Sequence, residues 1–119
     1  MTELKETPER ILDAAEALFA EKGYKATSLG EVAERVGIRS PSLYNHFKNK
    51  EALYQAVLNR LVALFNEPLT QLRAQPVTRE RIMEWLHTMV DLHYQHPNFA
   101  RLLQHAALAN GSQSREIVD

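Results

Sequence analysis

The stretch Ser40-Pro-Ser-Leu-Tyr-Asn-His-Phe47 decides how the rest of the chain reads. Ser40 is a favoured N-cap and Pro41 suits the first helical position, so a short helix over residues 40–47 opens here. Leu43 and Phe47 are four residues apart and share a face, and that face goes to the core. At about 100° per residue, Asn45 points away from Leu43, with Ser42 and Tyr44 flanking it and His46 near the edge. Two apolar anchors thus support a small surface of hydrogen-bonding side chains. That is the arrangement of a helix that reads DNA.

The flanking sequence supports the same reading. Upstream, Ser28-x-x-Glu31 is a capping box. It starts a helix whose Val32, Ala33 and Val36 face inward and whose end is marked by Gly37. Two short helices joined by a glycine-containing turn over residues 37–39 make a helix-turn-helix. Before them, Thr7-Pro8 gives a cap and a first-turn proline. Ile11, Leu12, Ala15, Leu18 and Phe19 follow at helical spacing until Gly23, which predicts a first helix over 8–22. Residues 1–6 read as a loose polar arm.

Downstream, Asn49 caps a fourth helix carrying Leu53, Val57, Leu61, Leu64 and Phe65 on one face. Pro68 predicts a kink or an end near residue 67. Thr78 caps a fifth helix over 79–95, apolar over a wide arc from Ile82 to Leu92. Pro97 opens a sixth over 98–109, closed by Gly111, with a frayed polar tail after it. Nothing alternates with period two. The expected fold is all-α: a three-helix head containing the helix-turn-helix (1–48), followed by part of an α-helical bundle (49–119).

Composition sets the bounds. The chain has 119 residues, 45% of them hydrophobic, enough for a real core. No apolar run approaches the roughly 20 residues a membrane span requires, and the polar N-terminus has no apolar signal core. With no cysteine there is no disulfide framework and no thiolate site. These features fit the cytoplasm. The net charge of −1 is not that of an overall basic DNA binder. Locally, however, residues 22–50 carry six basic side chains against two acidic ones, which makes a moderate electrostatic footprint.

Thr27-Ser28, Val32-Ala33, Val36-Gly37-Ile38, Leu43-Tyr44, His46-Phe47 and Lys50-Glu51-x-Leu53, in fixed register, resemble the N-terminal DNA-binding domain of TetR-family transcriptional regulators. Ile11-Leu-Asp-Ala-Ala15, Leu18-Phe19 and Gly23-Tyr24 resemble that family's first helix. The resemblance covers about residues 8–60 and is weak beyond them. It implies that Ser28 and its amide hold a phosphate at a helix N-terminus. It also implies that Ser42, Tyr44, Asn45 and His46 lie in or beside the major groove, and that Lys50 holds a second phosphate. Tyr44 is expected to pack its ring and send its hydroxyl to a phosphate. The full candidate set for DNA is Thr27, Ser28, Arg39, Ser40, Ser42, Tyr44, Asn45, His46, Lys48 and Lys50.

The same resemblance implies a repressor released from a palindromic operator by a small apolar or amphipathic effector. It implies a homodimer formed through helices beyond residue 119, so that this chain stops inside the ligand-binding domain. Gly30 departs from the family, whose members often carry a longer polar side chain there. Leu61, Phe65, Trp85, Met89, Tyr94 and Leu103 are the candidates for lining an effector pocket, against the plainer reading of core and surface. His93 and His96 have a chelating spacing, but no third ligand completes a metal site. No cofactor is expected. There is no phosphate loop, nucleophile elbow or other catalytic pattern, so no enzyme is expected. The rival class is a helical interaction module that never touches DNA.

Overall fold

The computed structural model describes the backbone of residues 6–118 and the side chains of residues 6–109. Among the described residues there are six helices: α1 (Thr7–Lys22), α2 (Leu29–Val36), α3 (Ser40–Tyr44), α4 (Lys50–Arg73), α5 (Arg79–Gln95) and α6 (Pro97–Val118). All but the last residue of the expected N-terminal arm, and Asp119, lie outside this range.

Several helix boundaries differ from the sequence reading. Glu6, not Thr7, is the N-cap of α1, and its side chain makes no capping bond. Arg39, not Ser40, caps α3, which places Ser40 inside the first turn with Pro41. The α3 helix proper ends at Tyr44, three residues early. The rise still continues to Phe47, whose amide donates to Leu43 O at 3.0 Å, as does the His46 amide. These i→i−4 and i→i−3 bonds tighten the last turn.

Pro68 does not end α4, which runs through it to Arg73. The one carbonyl that proline deprives of a partner belongs to Leu64, which is 38% exposed, so water can serve it. Gly111 does not close α6, which continues to Val118. A glycine stops a helix when it takes a left-handed conformation; inside one it merely costs about 1 kcal/mol.

The core lies where α1, α2, α3 and the first half of α4 meet. Ile11, Phe19, Val32, Leu43, Leu53 and Val57 are all fully buried there. Each such side chain contributes about 1.5–3 kcal/mol of burial. A ring cluster extends this core: Phe19 meets Tyr54 edge-on at 5.1 Å, and Tyr54 meets Tyr24 at 4.9 Å. Burial, with Tyr24 adding to it, pushes the Tyr54 hydroxyl above its ordinary value of 10.0.

Helix α6 returns to the head. Leu102 is buried against it, and the His105 ring N–H donates to Ala20 O at 3.1 Å, near the end of α1. A polar bracket adds to this: Arg60 on α4 reaches Asp13 and Glu16 on α1, both at 2.8 Å. Asn98 on α6 donates to Glu16 at 3.0 Å. Helix α5 has no buried residue at all. Its Met83, Leu86 and Val90 are exposed, contrary to a core reading of its apolar arc. The radius of gyration, 17.4 Å, exceeds the roughly 13–14 Å of a compact domain this long.

Candidate nucleic-acid interface

The helix-turn-helix is fixed by its turn. Gly37 takes a left-handed conformation (φ 81°) and its amide donates to Ala33 O and Glu34 O. The Ile38 amide also donates to Ala33 O, at 3.0 Å. These bonds satisfy the carbonyls at the end of α2. A Cβ on Gly37 would meet nothing within 4 Å, so glycine is required by the backbone angle and not by space. Arg10 on α1 donates to Val36 O at 2.7 Å, placing a cation at the negative end of α2.

At the other end of α2 the capping box forms as expected. Ser28 Oγ accepts from the Glu31 amide at 3.1 Å, and the Glu31 carboxylate accepts from the Ser28 amide at 3.3 Å. Lys22 pairs with the other oxygen of Glu31. That hydrogen bond, opposed by some desolvation and reinforced by the lysine's charge and Ser28, holds the Glu31 carboxyl below its ordinary value of 4.5. A phosphate at this helix end would therefore have to share the Ser28 amide with Glu31.

The expected contact residues divide sharply. Arg39, Ser40, Ser42, Tyr44, Asn45, His46 and Lys48 are all exposed, and among the described residues their side chains have no hydrogen-bond partner in the chain. Leu43 beneath them is fully buried and Phe47 half-buried, so the apolar anchors are as read. Tyr44 is a partial correction. It is 51% exposed, so its ring faces outward instead of packing.

Two expectations change more. Thr27 is 2% exposed, and its hydroxyl donates to Gly23 O at 2.9 Å and lies 3.3 Å from Leu18 O. It ties the connector to the end of α1 and is not offered to DNA. Lys50 is half-buried, and its ammonium donates to Tyr24 O at 2.8 Å and Thr27 O at 3.1 Å. The ammonium also sits 4.2 Å from the centre of the Tyr24 ring. A cation at the start of a helix opposes the helix dipole, and these groups offset that. Lys50 thus braces α4 against the 23–27 connector. With Lys22 and Lys50 engaged, residues 22–50 still expose Lys25, Arg35, Arg39 and Lys48 against Glu34.

Sequence reading missed Arg10, the Lys22–Glu31 pair and the Arg60 bracket. Their partners lie 9 to 47 residues away, and no local spacing signals them.

The residues expected around an effector are scattered. A cavity of about 720 Å³ lies between α1, α4 and α5, with Leu61, Leu64, Thr88, Leu92 and His96 on its wall. Of the expected set only Leu61 lines it. Phe65 is buried and stacks on Phe99 at 4.2 Å, with the His93 ring 4.6 Å away. Trp85 lines a smaller cavity of about 200 Å³, beside Pro68 and Thr88. Met89 is half-buried outside both. Tyr94 is 88% exposed, because it lies about 200° around α5 from Leu92, which takes the inner position. Leu103 is 51% exposed for the same reason, being one position past the buried Leu102. The His93 ring meets Phe65, and His96 lines the larger cavity. No described helix is long and apolar enough to cross a membrane.

Against known proteins, residues 11–57 match the family described as "Bacterial regulatory proteins, tetR family". The chain is 48% identical over 54 residues to the HTH-type transcriptional repressor ComR of Escherichia coli (strain K12), covering 45% of this chain and 26% of ComR. It is 34% identical over 90 residues to the HTH-type transcriptional regulator UidR of the same organism, covering 72% of this chain and 46% of UidR. The match thus spans less than half the length of either relative. The fold is similar to the crystal structure of a TetR-like transcriptional regulator from Rhodococcus sp. RHA1. That likeness has a TM-score of 0.73 at 25% identity and covers 96% of this chain and 67% of that one.

Proposed function

We propose that the chain, whose residues 11–57 match the TetR family of bacterial regulatory proteins, is a sequence-specific DNA-binding transcriptional regulator, acting as a repressor in the cytoplasm. The observation that carries this reading is the row of exposed, unpartnered side chains from Arg39 to His46, held up by the buried Leu43.

Ser42, Asn45 and His46 read base edges. Asparagine suits adenine, to which it can donate and from which it can accept at once. Arg39 and Lys48 lie beside the sugar–phosphate backbone and set register. Lys50 and Thr27 support this surface from behind. The division at residues 48/49 separates a reading head from a regulatory part. Two copies place their α3 helices about 34–36 Å apart on a palindromic site.

An effector in the α1–α4–α5 cavity favours a different tilt of α4, since a ligand acts only through its differential affinity for two states. Helix α4 is the lever because it joins Lys50 at the head to Leu61 and Phe65 in the bundle. Selection of bound duplexes from a random pool tests the reading. Enrichment of a two-fold symmetric motif with half-sites about one helical turn apart is expected. A pool that stays random would overturn it.

A further inference from the structure

A separate cavity of about 430 Å³, within the range of small-molecule sites, lies where α6 meets the head. Lys22, Tyr24 and Lys25 line it from the end of α1 and the connector, Tyr54 from α4, and Ala106 and Leu108 from α6. Its two sides approach closely. The His105 ring N–H donates to Ala20 O at 3.1 Å, and a Cβ on Gly23 would stand 3.2 Å from His105 Nδ1.

The charge around this cavity is positive, and among the described residues no carboxylate lines it. Lys22 is paired with Glu31. Lys25 is exposed and has no ion-pair partner among the described residues. Lys50 stands 4.2 Å from the Tyr24 ring centre and donates to two carbonyls, which leave its charge uncancelled. The Tyr24 and Tyr54 hydroxyls have no hydrogen-bond partner among the described residues. Carbonyls at the end of a helix repel an anion, but those of Phe19, Ala20, Gly23 and Tyr24 already accept hydrogen bonds.

We propose that this cavity binds an apolar or aromatic monocarboxylate, with its carboxylate at Lys25 and its body against Tyr24, Tyr54 and Ala106. Burial of the body supplies the attraction. The lysines and the free hydroxyls favour an anion over a neutral molecule of the same shape, because a partly enclosed site weakens charge attraction less than bulk water does. The occupant bridges α6 and the connector that leads into α2. What that bridging does to DNA binding rests on the regulator reading; the binding itself does not.

The test is a calorimetric titration of the full chain with naphthalene-2-carboxylate and with naphthalene-2-carboxamide, which match in shape and differ in charge. The carboxylate is expected to bind at least about tenfold more tightly. Lys25→Gln should remove most of that preference and leave the amide unchanged. Nuclear Overhauser contacts should run from the naphthalene protons to the Ala106 methyl. Equal affinity, tighter binding of the amide, a preference untouched by Lys25→Gln, or contacts to Leu64 and Leu92 in place of Ala106 would each overturn the proposal. A chain that meets every expectation yet binds no duplex would keep the carboxylate site and sink the regulator reading.

Discussion

Helices α1 and α5 are nearly equal in length, 16 and 17 residues, and both carry apolar residues at helical spacing. Helix α1 buries six residues; α5 buries none among the described residues. Periodicity specifies a helix and a face, but burial needs a partner. Helix α1 has partners on α2, α4 and α6. Helix α5 packs only along one edge, and its outer face keeps Met83, Leu86, Val90 and Tyr94 in the open. The head therefore buries its apolar faces among its own helices, whereas α5 keeps one apolar face open among the described residues.

The largest expected difference between the two regions is in stability. Phe19→Ala should cost about 3–5 kcal/mol in denaturant unfolding, since it empties a site ringed by Tyr24 and Tyr54. Val90→Ala, at a residue 68% exposed, should stay within about 0.5 kcal/mol. Similar losses at both sites would erase the comparison. Next is Thr27→Val, which should cost roughly 1–3 kcal/mol by removing the buried donor to Gly23 O. A neutral result would restore Thr27 as a surface group.

Gly37→Ala should cost roughly 1–2 kcal/mol through its left-handed angle alone, whereas Gly30→Ala should gain up to about 1 kcal/mol. A Cβ at Gly30 meets only Ser28 Oγ, at 3.8 Å. Equal effects would mean that the turn is not what holds the two helices. The smallest effect is the pH dependence of the capping box. The native Glu31 carboxyl lies below its ordinary value of 4.5, so its stabilising contribution is complete above that value. It is lost as pH falls from about 4.5 through the lower native value. Glu31→Gln should remove that slope from an acid titration of stability, and a slope that persists would assign it to another carboxylate.

Most of the head was legible because its signals are local. A capping box spans four residues, a left-handed glycine one, and the Leu43–Phe47 face five. The exposure of Ser42, Tyr44, Asn45 and His46 followed from the same spacing. Thr27 and Lys50 read as surface contacts, yet their side chains donate to Gly23 O, four residues back, and to Tyr24 O, 26 residues back, pairings that spacing does not signal. Polar residue type alone does not separate a side chain offered to a ligand from one spent on a backbone carbonyl. The pocket was least legible. Its wall joins Asp13 to His96 across the chain, and helical phase put Tyr94 and Leu103 on the outside.

The central claim is that the 39–48 surface reads DNA while Lys50 braces it. Fluorescence anisotropy of labelled duplex from upstream of the chain's own gene, at several salt concentrations and against shuffled competitor, tests it most directly. Asn45→Ala should cost roughly 1–3 kcal/mol on the preferred site and little on shuffled DNA. Lys48→Ala should weaken all sequences and flatten the salt slope by about 0.9 units. Lys50→Met should weaken binding with the slope unchanged. Uniform loss on all sequences in Asn45→Ala and Lys48→Ala alike, or a slope that flattens in Lys50→Met, would contradict the account.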